Sequence, residues 1–105
     1  MLTRRNALTA LLSLPVLALA RPARAATHQV AIKGFAFEPA VLDVAAGDTV
    51  VFTNGDSAPH TASSSAFDTG RINFEQSAEV TIPAAGTYDY TCKFHPMMKG
   101  RIVAR

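Results

Sequence analysis

The sequence predicts an all-β fold for residues 26–105, a β-sandwich of about seven to eight short strands. Apolar and polar residues alternate with the period of two that places successive side chains on opposite faces of a strand. Clusters of Gly, Pro, Asp and Ser separate these segments at intervals of about 8–12 residues. No segment after residue 25 has a helical period of useful length. A chain of this length forms one domain at most.

The first predicted strands lie between residue 30 and a proline. Val30 and Ile32 share one face of the first strand, and Phe35 and Phe37 continue the strand-like alternation as far as Pro39. Proline cannot donate a backbone hydrogen bond to a neighbouring strand, so it marks the end of this region. We therefore expect both phenylalanines to belong to strand-forming sequence.

Two further strands are predicted on either side of the turn-forming sequence Ala46-Gly47-Asp48, over residues 41–44 and 49–54. The predicted strand over residues 49–54, the fourth along the chain, alternates clearly, and one of its faces carries Val50, Phe52 and Asn54. Residues 55–73 are rich in Ser, Thr, Gly and Asp and are predicted to form a long loop, anchored by Phe67.

The second half predicts three strands, over residues 77–82, 88–92 and 101–104. Pro83-Ala84-Ala85-Gly86 turns the chain between the first two. The middle strand places three residues on one face: Tyr88, Tyr90 and Cys92. This alternation carries Cys92 to the end of a strand on the core side.

Residues 1–25 have the pattern of a cleaved export signal. Arg4 and Arg5 precede an apolar run over residues 7–20, and the segment closes on Ala23-Arg24-Ala25, which matches an A-x-A cleavage site. The run is shorter than the roughly 20 apolar residues that span a membrane. The arginine pair fits a twin-arginine signal or an ordinary secretory signal. We predict export to the periplasm and a mature domain over residues 26–105.

The predicted cleavage changes the charge of the protein. Four of the 10 basic residues lie in residues 1–25, which leaves 6 basic residues against 8 acidic ones. The basic character of the whole chain is therefore a feature of the signal, and it gives no support for nucleic-acid binding. We predict a monomer without nucleic-acid partners or a membrane span.

Cys92 is the only cysteine, so it cannot form an internal disulfide and is idle, intermolecular or a metal ligand. It begins the run Cys92-Lys93-Phe94-His95-Pro96-Met97-Met98, and a second imidazole is available at His60. One thiolate, two imidazoles and one thioether are the ligand set of blue-copper electron-transfer sites. Structural zinc would need four strong ligands. The sequence thus predicts one bound copper, with Met97 and Met98 both available as the axial ligand.

Each of these residues also has a simpler interpretation. A cysteine at a strand end is usually a small buried apolar residue. His60 in a polar loop could be a solvated histidine, His95-Pro96 a turn, and Met98 core filler. Their joint occurrence in a short, exported all-β chain favours the copper site.

Five segments of the chain resemble the cupredoxins: FAFEP at 35–39, VAAGDTV at 44–50, NGD at 54–56, PHT at 59–61, and the stretch from GTYDYTC at 86–92 through MKG at 98–100. The resemblance implies a Greek-key β-sandwich with mononuclear copper at one end. Carried over by position, it implies His60, Cys92 and His95 as equatorial ligands and Met98 as the axial ligand. It also implies a function as a shuttle of electrons between larger redox proteins.

Two residues are expected to support the ligands. Asn54 lies on the core face at the end of the fourth predicted strand. Thr61 stands where many cupredoxins have an asparagine whose side chain ties the two ligand loops together. A hydroxyl can make a similar bond but reaches less far, and such bonds tune a metal site.

The surface beside His95 is the predicted electron port. Pro96 and Met97 adjoin it in sequence, and Pro59 comes from the other ligand loop. A small apolar patch over a ligand is typical of weak, transient contacts with a donor and an acceptor protein. The alternative is ordinary exposed apolar surface.

The sequence therefore predicts a diffusible one-electron carrier that is not an enzyme. The alternative is a copper-binding module for metal handling, although the thiolate-containing ligand set favours retention of the metal. Lys93 and Thr91 flank Cys92, whereas multicopper oxidases place histidines there. The leftover histidine in Ala26-Thr27-His28 either opens the first strand or completes an N-terminal site for a second Cu(II).

Overall fold

The computed structural model describes residues 25–105, so the export signal predicted for residues 1–25 lies, except for Ala25, outside the described residues. The described part of the chain forms seven β-strands: β1 Thr27–Lys33, β2 Ala36–Glu38, β3 Val41–Val44, β4 Thr49–Asn54, β5 Ser77–Thr81, β6 Gly86–Thr91 and β7 Lys99–Ala104. No helix long and apolar enough to cross a membrane occurs within this part of the chain.

The strands form two sheets, with the orders β2-β1-β4-β5 and β3-β7-β6. β1 pairs with β4 in parallel, as β3 does with β7, and the remaining neighbours are antiparallel. The residues that alternate inward on the two sheets share one hydrophobic core. The predicted all-β sandwich is confirmed.

The inward faces agree with the alternation in the sequence. Val30 and Ile32 of β1 are buried, and so are Val50, Phe52 and Asn54 of β4. The centre of the core is aromatic: the Tyr90 ring lies 4.7 Å from that of Phe37 and 5.4 Å from that of Phe52, between centroids. The predicted loop anchor, Phe67, packs against the same cluster.

Phe35 is the main exception to the predicted strands. It lies outside β1 and β2, in the two-residue turn between them, and half of it (51%) is exposed. The register pairs Lys33 with Ala36, which leaves only Gly34 and Phe35 to reverse the chain. Alternation alone could not reveal this, because a two-residue turn inserted between strands keeps the same spacing of apolar residues.

Two strand ends and one loop bring the site together. β4 ends at Asn54, and β6 ends at Thr91, one residue before Cys92. The loop over residues 55–73 is tied back by isolated bridges of His60 with Ile72 and of Ser63 with Thr91. These contacts place the segments containing His60 and Cys92 at the same end of the sandwich.

Candidate metal centre

Three side chains converge at this end of the sandwich. The Nδ1 atoms of His60 and His95 lie 3.7 Å and 3.6 Å from the Cys92 sulfur, respectively. One ligand atom from each residue lies within 4.8 Å of the others. His60 and Cys92 are fully buried, and His95 is half-buried. This is a preformed pocket of two nitrogens and one sulfur with one ligand near the surface.

The loop that follows β6 is folded by three backbone hydrogen bonds. Cys92 N–H donates to the Met98 carbonyl (3.2 Å), His95 N–H to the Cys92 carbonyl (3.2 Å), and Met98 N–H to the His95 carbonyl (2.9 Å). These bonds close two successive turns, so that a run of seven residues curls around one point. The Thr61 N–H donates to the Cys92 sulfur from the other ligand loop, at 3.4 Å.

His60 is oriented by a carboxylate. Its Nε2 lies 2.9 Å from Asp56 Oδ2, and with Nδ1 facing Cys92 the N–H belongs on Nε2 and donates to Asp56. Burial opposes the charge on Asp56, but the N–H groups of Phe35, Gly34 and His60 more than offset it, so the pKa of Asp56 lies below its ordinary value. A second hydrogen-bond partner of this kind fixes the ring of a metal-binding histidine. Asp56 was not among the site residues predicted from the sequence, although it lies four residues before His60.

Asn54 connects the strand end to the loop. Its amide nitrogen donates to the carbonyls of Ala58 and Ile72, both at 2.8 Å, and its oxygen accepts from the Asp56 N–H at 2.8 Å. The side chain is fully buried, and its bond to the Ile72 carbonyl is shielded from water. Asn54 therefore holds the backbone on either side of His60.

Thr61 connects the two ligand loops. Its hydroxyl oxygen accepts a hydrogen bond from the Lys93 N–H at 2.9 Å and lies 3.0 Å from the Ser63 hydroxyl. The residue is 2% exposed. In this chain the shorter hydroxyl spans the gap because the loops approach closely, through the Ser63–Thr91 bridge.

The two methionines occupy opposite environments. Met98 is buried, whereas Met97 is 92% exposed. Met98 also carries two of the backbone hydrogen bonds that close the loop. The burial of Met98 is consistent with its expected axial role, and Met97 points its side chain to solvent.

Three of the four predicted electron-port residues, His95, Pro96 and Met97, line a shallow cavity of about 410 Å³. The cavity is lined by Phe35, Phe94, His95, Pro96, Met97 and Met98. Pro59, the port residue from the other ligand loop, is half-buried and lies outside this lining. The two phenylalanines were not predicted as site residues from the sequence, although Phe94 stands between two expected ligands.

His28 lies away from this centre. It belongs to β1, where it pairs with Val50, and its Nε2 is 2.8 Å from Asp48 Oδ2. The Ala26 N–H donates to the other oxygen of Asp48, at 2.9 Å. The strand interpretation of His28 accounts for these contacts, and two of the groups that a second Cu(II) would need, the Ala26 nitrogen and the His28 imidazole, are hydrogen-bonded to Asp48.

The donor set can be tested against candidate metals. Zinc in a structural site takes four strong nitrogen, sulfur or carboxylate ligands, and His60, Cys92 and His95 provide three. Copper accepts a trigonal plane of two imidazoles and one thiolate, with a weak thioether at a distance. The residues present fit copper better than zinc.

Comparison with known proteins gives the class of protein. The family model described as a cupredoxin-like domain matches residues 7–104. The chain belongs to the cupredoxin-like family.

Within that family, the chain is similar to amicyanins. Amicyanin-alpha of Methylorubrum extorquens is 31% identical over 105 aligned residues, covering 90% of this chain and 86% of the relative. Amicyanin of Paracoccus denitrificans is 35% identical over 74 residues, 64% of this chain and 56% of the relative. A solved structure of an amicyanin mutant in the Cu(I) form has a TM-score of 0.71 at 31% identity, covering 75% of this chain and 82% of that one.

The short ligand loop agrees with this result. Two residues separate Cys92 from His95, and two separate His95 from Met98. This spacing predicts similarity to amicyanin, because plastocyanin and pseudoazurin have more residues between the second histidine and the methionine. The prediction is confirmed by the relatives found.

Proposed function

We propose that this chain is a periplasmic one-electron carrier that binds a single copper ion through His60, Cys92 and His95, with Met98 as the axial ligand. The observation that carries the proposal is the convergence of two imidazole nitrogens on one buried thiol. The names of its relatives support it, since a similar amicyanin mutant was solved in a Cu(I) form.

Bound in this pocket, copper supplies a one-electron couple between Cu(I) and Cu(II). The protein contributes ligands that are already in place. Asp56 holds His60, and Thr61 joins the loop of His60 to the loop of Cys92. Because little has to move when the charge of the site changes, this arrangement favours fast electron exchange.

His95 is the route by which electrons enter and leave. It is the half-buried ligand, and it borders the apolar cavity formed with Pro96 and Met97. A small apolar surface beside an accessible ligand suits brief contacts with a redox protein donor and acceptor. Pro59 completes the port from the opposite ligand loop. The carrier acts as a monomer and requires no nucleic acid.

Residues 1–25 act as the export signal, and the domain begins at residue 26. The first contacts of the folded domain support this boundary, since Ala26 donates to Asp48 from its N–H and accepts from Thr49 at its carbonyl. Cleavage after Ala25 would leave these bonds intact. Either the twin-arginine or the general secretory route would deliver the chain to the periplasm.

Burial favours electron transfer over metal handling. A handling protein exchanges its metal by stepwise replacement of accessible ligands, whereas Cys92 and His60 are 0% exposed. The backbone turns of the Cys92 loop also limit ligand movement. An enzyme is less well supported, because among residues 25–105 the remaining histidine, His28, is bonded to Asp48.

The Cys92→Ser variant tests the proposal. The purified wild-type protein should bind one copper and show an intense visible charge-transfer band when oxidised, because the Cys92 thiolate donates charge to Cu(II). The serine variant should lose the band and keep its β-sheet circular dichroism. A visible band that survives in the variant, or a wild type without a reversible one-electron couple, would contradict the proposal.

A further inference from the structure

The turn between β1 and β2 contains a phenylalanine at positive φ, a conformation that this residue rarely adopts. Gly34 and Phe35 are its two central residues, and their φ angles are +61° and +56°. Two-residue hairpin turns favour positive φ at both positions, which is why Gly, Asn and Asp predominate there. Phenylalanine at positive φ is an outlier that carries a steric cost. With half of its surface exposed, Phe35 does not recover that cost by burial in the core.

The contacts of the Phe35 ring point to the metal site. Its centroid lies 5.1 Å from that of His60, with the planes at 89°, and 4.7 Å from that of His95, at 85°. The two imidazoles are themselves 4.9 Å apart. Edge-to-face arrangements at such distances are favourable for aromatic rings. One side chain therefore contacts both imidazole ligands.

Asp56 holds this turn in place. Its Oδ1 accepts a hydrogen bond from the Gly34 N–H at 2.8 Å, and its Oδ2 accepts one from the Phe35 N–H at 2.9 Å. The same Oδ2 accepts from His60 Nε2. A single carboxylate therefore joins the hairpin turn, which lies more than 20 residues earlier in the chain, to His60, which lies four residues later.

We propose that Phe35 is a positioning residue for the two imidazole ligands, held in its strained turn by Asp56. This inference rests on the proposed copper function and adds a residue outside the ligand loops. The ring stands against His60 and His95 and limits how far either imidazole can swing away from Cys92. The consequence is slow release of the metal, above all through His95, which is the ligand nearest the surface.

The alternative is that Phe35 serves only as contact surface for a partner protein. In that case its removal would leave the isolated protein unchanged. Phe94 provides a matched control, because it lines the same cavity and is 46% exposed. Its ring faces the Arg71 guanidinium at 5.8 Å, whereas Phe35 faces the ligands.

The test compares Phe35→Gly with Phe94→Ala in the mature protein, residues 26–105, loaded with copper and reduced. The rate at which an excess of a Cu(I) chelator removes the metal is followed by absorbance of the chelate. Phe35→Gly should release copper about tenfold faster than wild type, the change that follows loss of an aromatic contact worth about 1.4 kcal/mol. Phe94→Ala should release it at the wild-type rate, and Phe35→Tyr should restore the slow rate.

A second measurement separates positioning from a general effect on stability. Glycine adopts positive φ without steric cost. The metal-free Phe35→Gly protein should therefore unfold at a temperature no lower than metal-free wild type. In metal-free wild type, the imidazole protons of His60 and His95 should show ring-current shifts that Phe35→Gly removes.

The outcomes divide clearly. Faster copper release with unchanged metal-free stability supports the positioning role. Equal release from Phe35→Gly and Phe94→Ala would overturn this inference while leaving the copper function standing. A marked loss of metal-free stability in Phe35→Gly would also overturn it, because Phe35 would then be acting through the fold. If wild type retained no copper, the proposed function and this inference would both be refuted.

Discussion

Removing the hydroxyl of Tyr90 is expected to stabilise the protein, whereas most substitutions of buried residues destabilise it. Within residues 25–105 this hydroxyl is the buried side-chain polar atom that lacks a hydrogen-bond partner, and the residue is 1% exposed. Burial without a partner also holds the pKa of Tyr90 above its ordinary value. The oxygen is tightly packed, since a Cβ added at Gly100 would lie 2.3 Å from it. Tyr90→Phe removes this oxygen and leaves the ring in place.

The expected change in stability combines two terms. An unsatisfied buried polar group costs about 1–3 kcal/mol. Removing the hydroxyl leaves a void of about 10 Å³, which at about 24 cal/mol per Å³ costs about 0.2 kcal/mol. We therefore expect Tyr90→Phe to raise the free energy of unfolding by about 0.8–2.8 kcal/mol. In a domain of this size each kcal/mol shifts the melting temperature by about 4–8 °C.

Tyr88→Phe is the matched control. The Tyr88 hydroxyl donates to the Ala84 carbonyl at 2.6 Å, so its removal should lower the free energy of unfolding by about 0.5–1.5 kcal/mol. Both variants are unfolded with urea in the same metal state, and an unchanged m-value shows that the denatured states are comparable. If Tyr90→Phe is destabilised as much as Tyr88→Phe, the Tyr90 hydroxyl does not lower stability in the folded protein.

Three further predictions concern the site and its frame. Thr61→Val leaves the Lys93 N–H without its acceptor and should lower the free energy of unfolding by about 1–3 kcal/mol, measured by urea titration. A urea midpoint equal to that of wild type would argue against the hydrogen bond between the two ligand loops. Backbone N–H groups lower the pKa of Asp48 from 3.8 to about 2, so its contribution to stability is present above pH 3.8 and is lost as pH falls toward 2. The melting temperature of Asp48→Asn should thus vary less than that of wild type over this window, and parallel curves would contradict this. Met98→Gln should lower the reduction potential clearly in voltammetry and Met97→Gln much less, and equal shifts would remove the axial assignment of Met98.

The strands and the kind of metal site could be predicted from the sequence, because both depend on short-range patterns. The period of two over residues 49–54 is enough to select the buried face of β4, and the observed strand has the same bounds. The thiolate, imidazole and thioether of residues 92–98 lie within one short loop, so their chemistry is visible before the fold is known.

The arrangement around these ligands was decided only by the tertiary structure. Phe35 contacts His60 and His95 because its turn is docked on Asp56, more than 20 residues away in sequence. In the sequence the same residue looks like one more apolar position in a strand. Likewise, Asp48 appears in the sequence as a turn residue. In the structure it binds His28 of β1 and Ala26, the residue before β1. Periodicity reports which face of its own strand a side chain occupies, whereas these contacts depend on how separate strands and loops pack against each other.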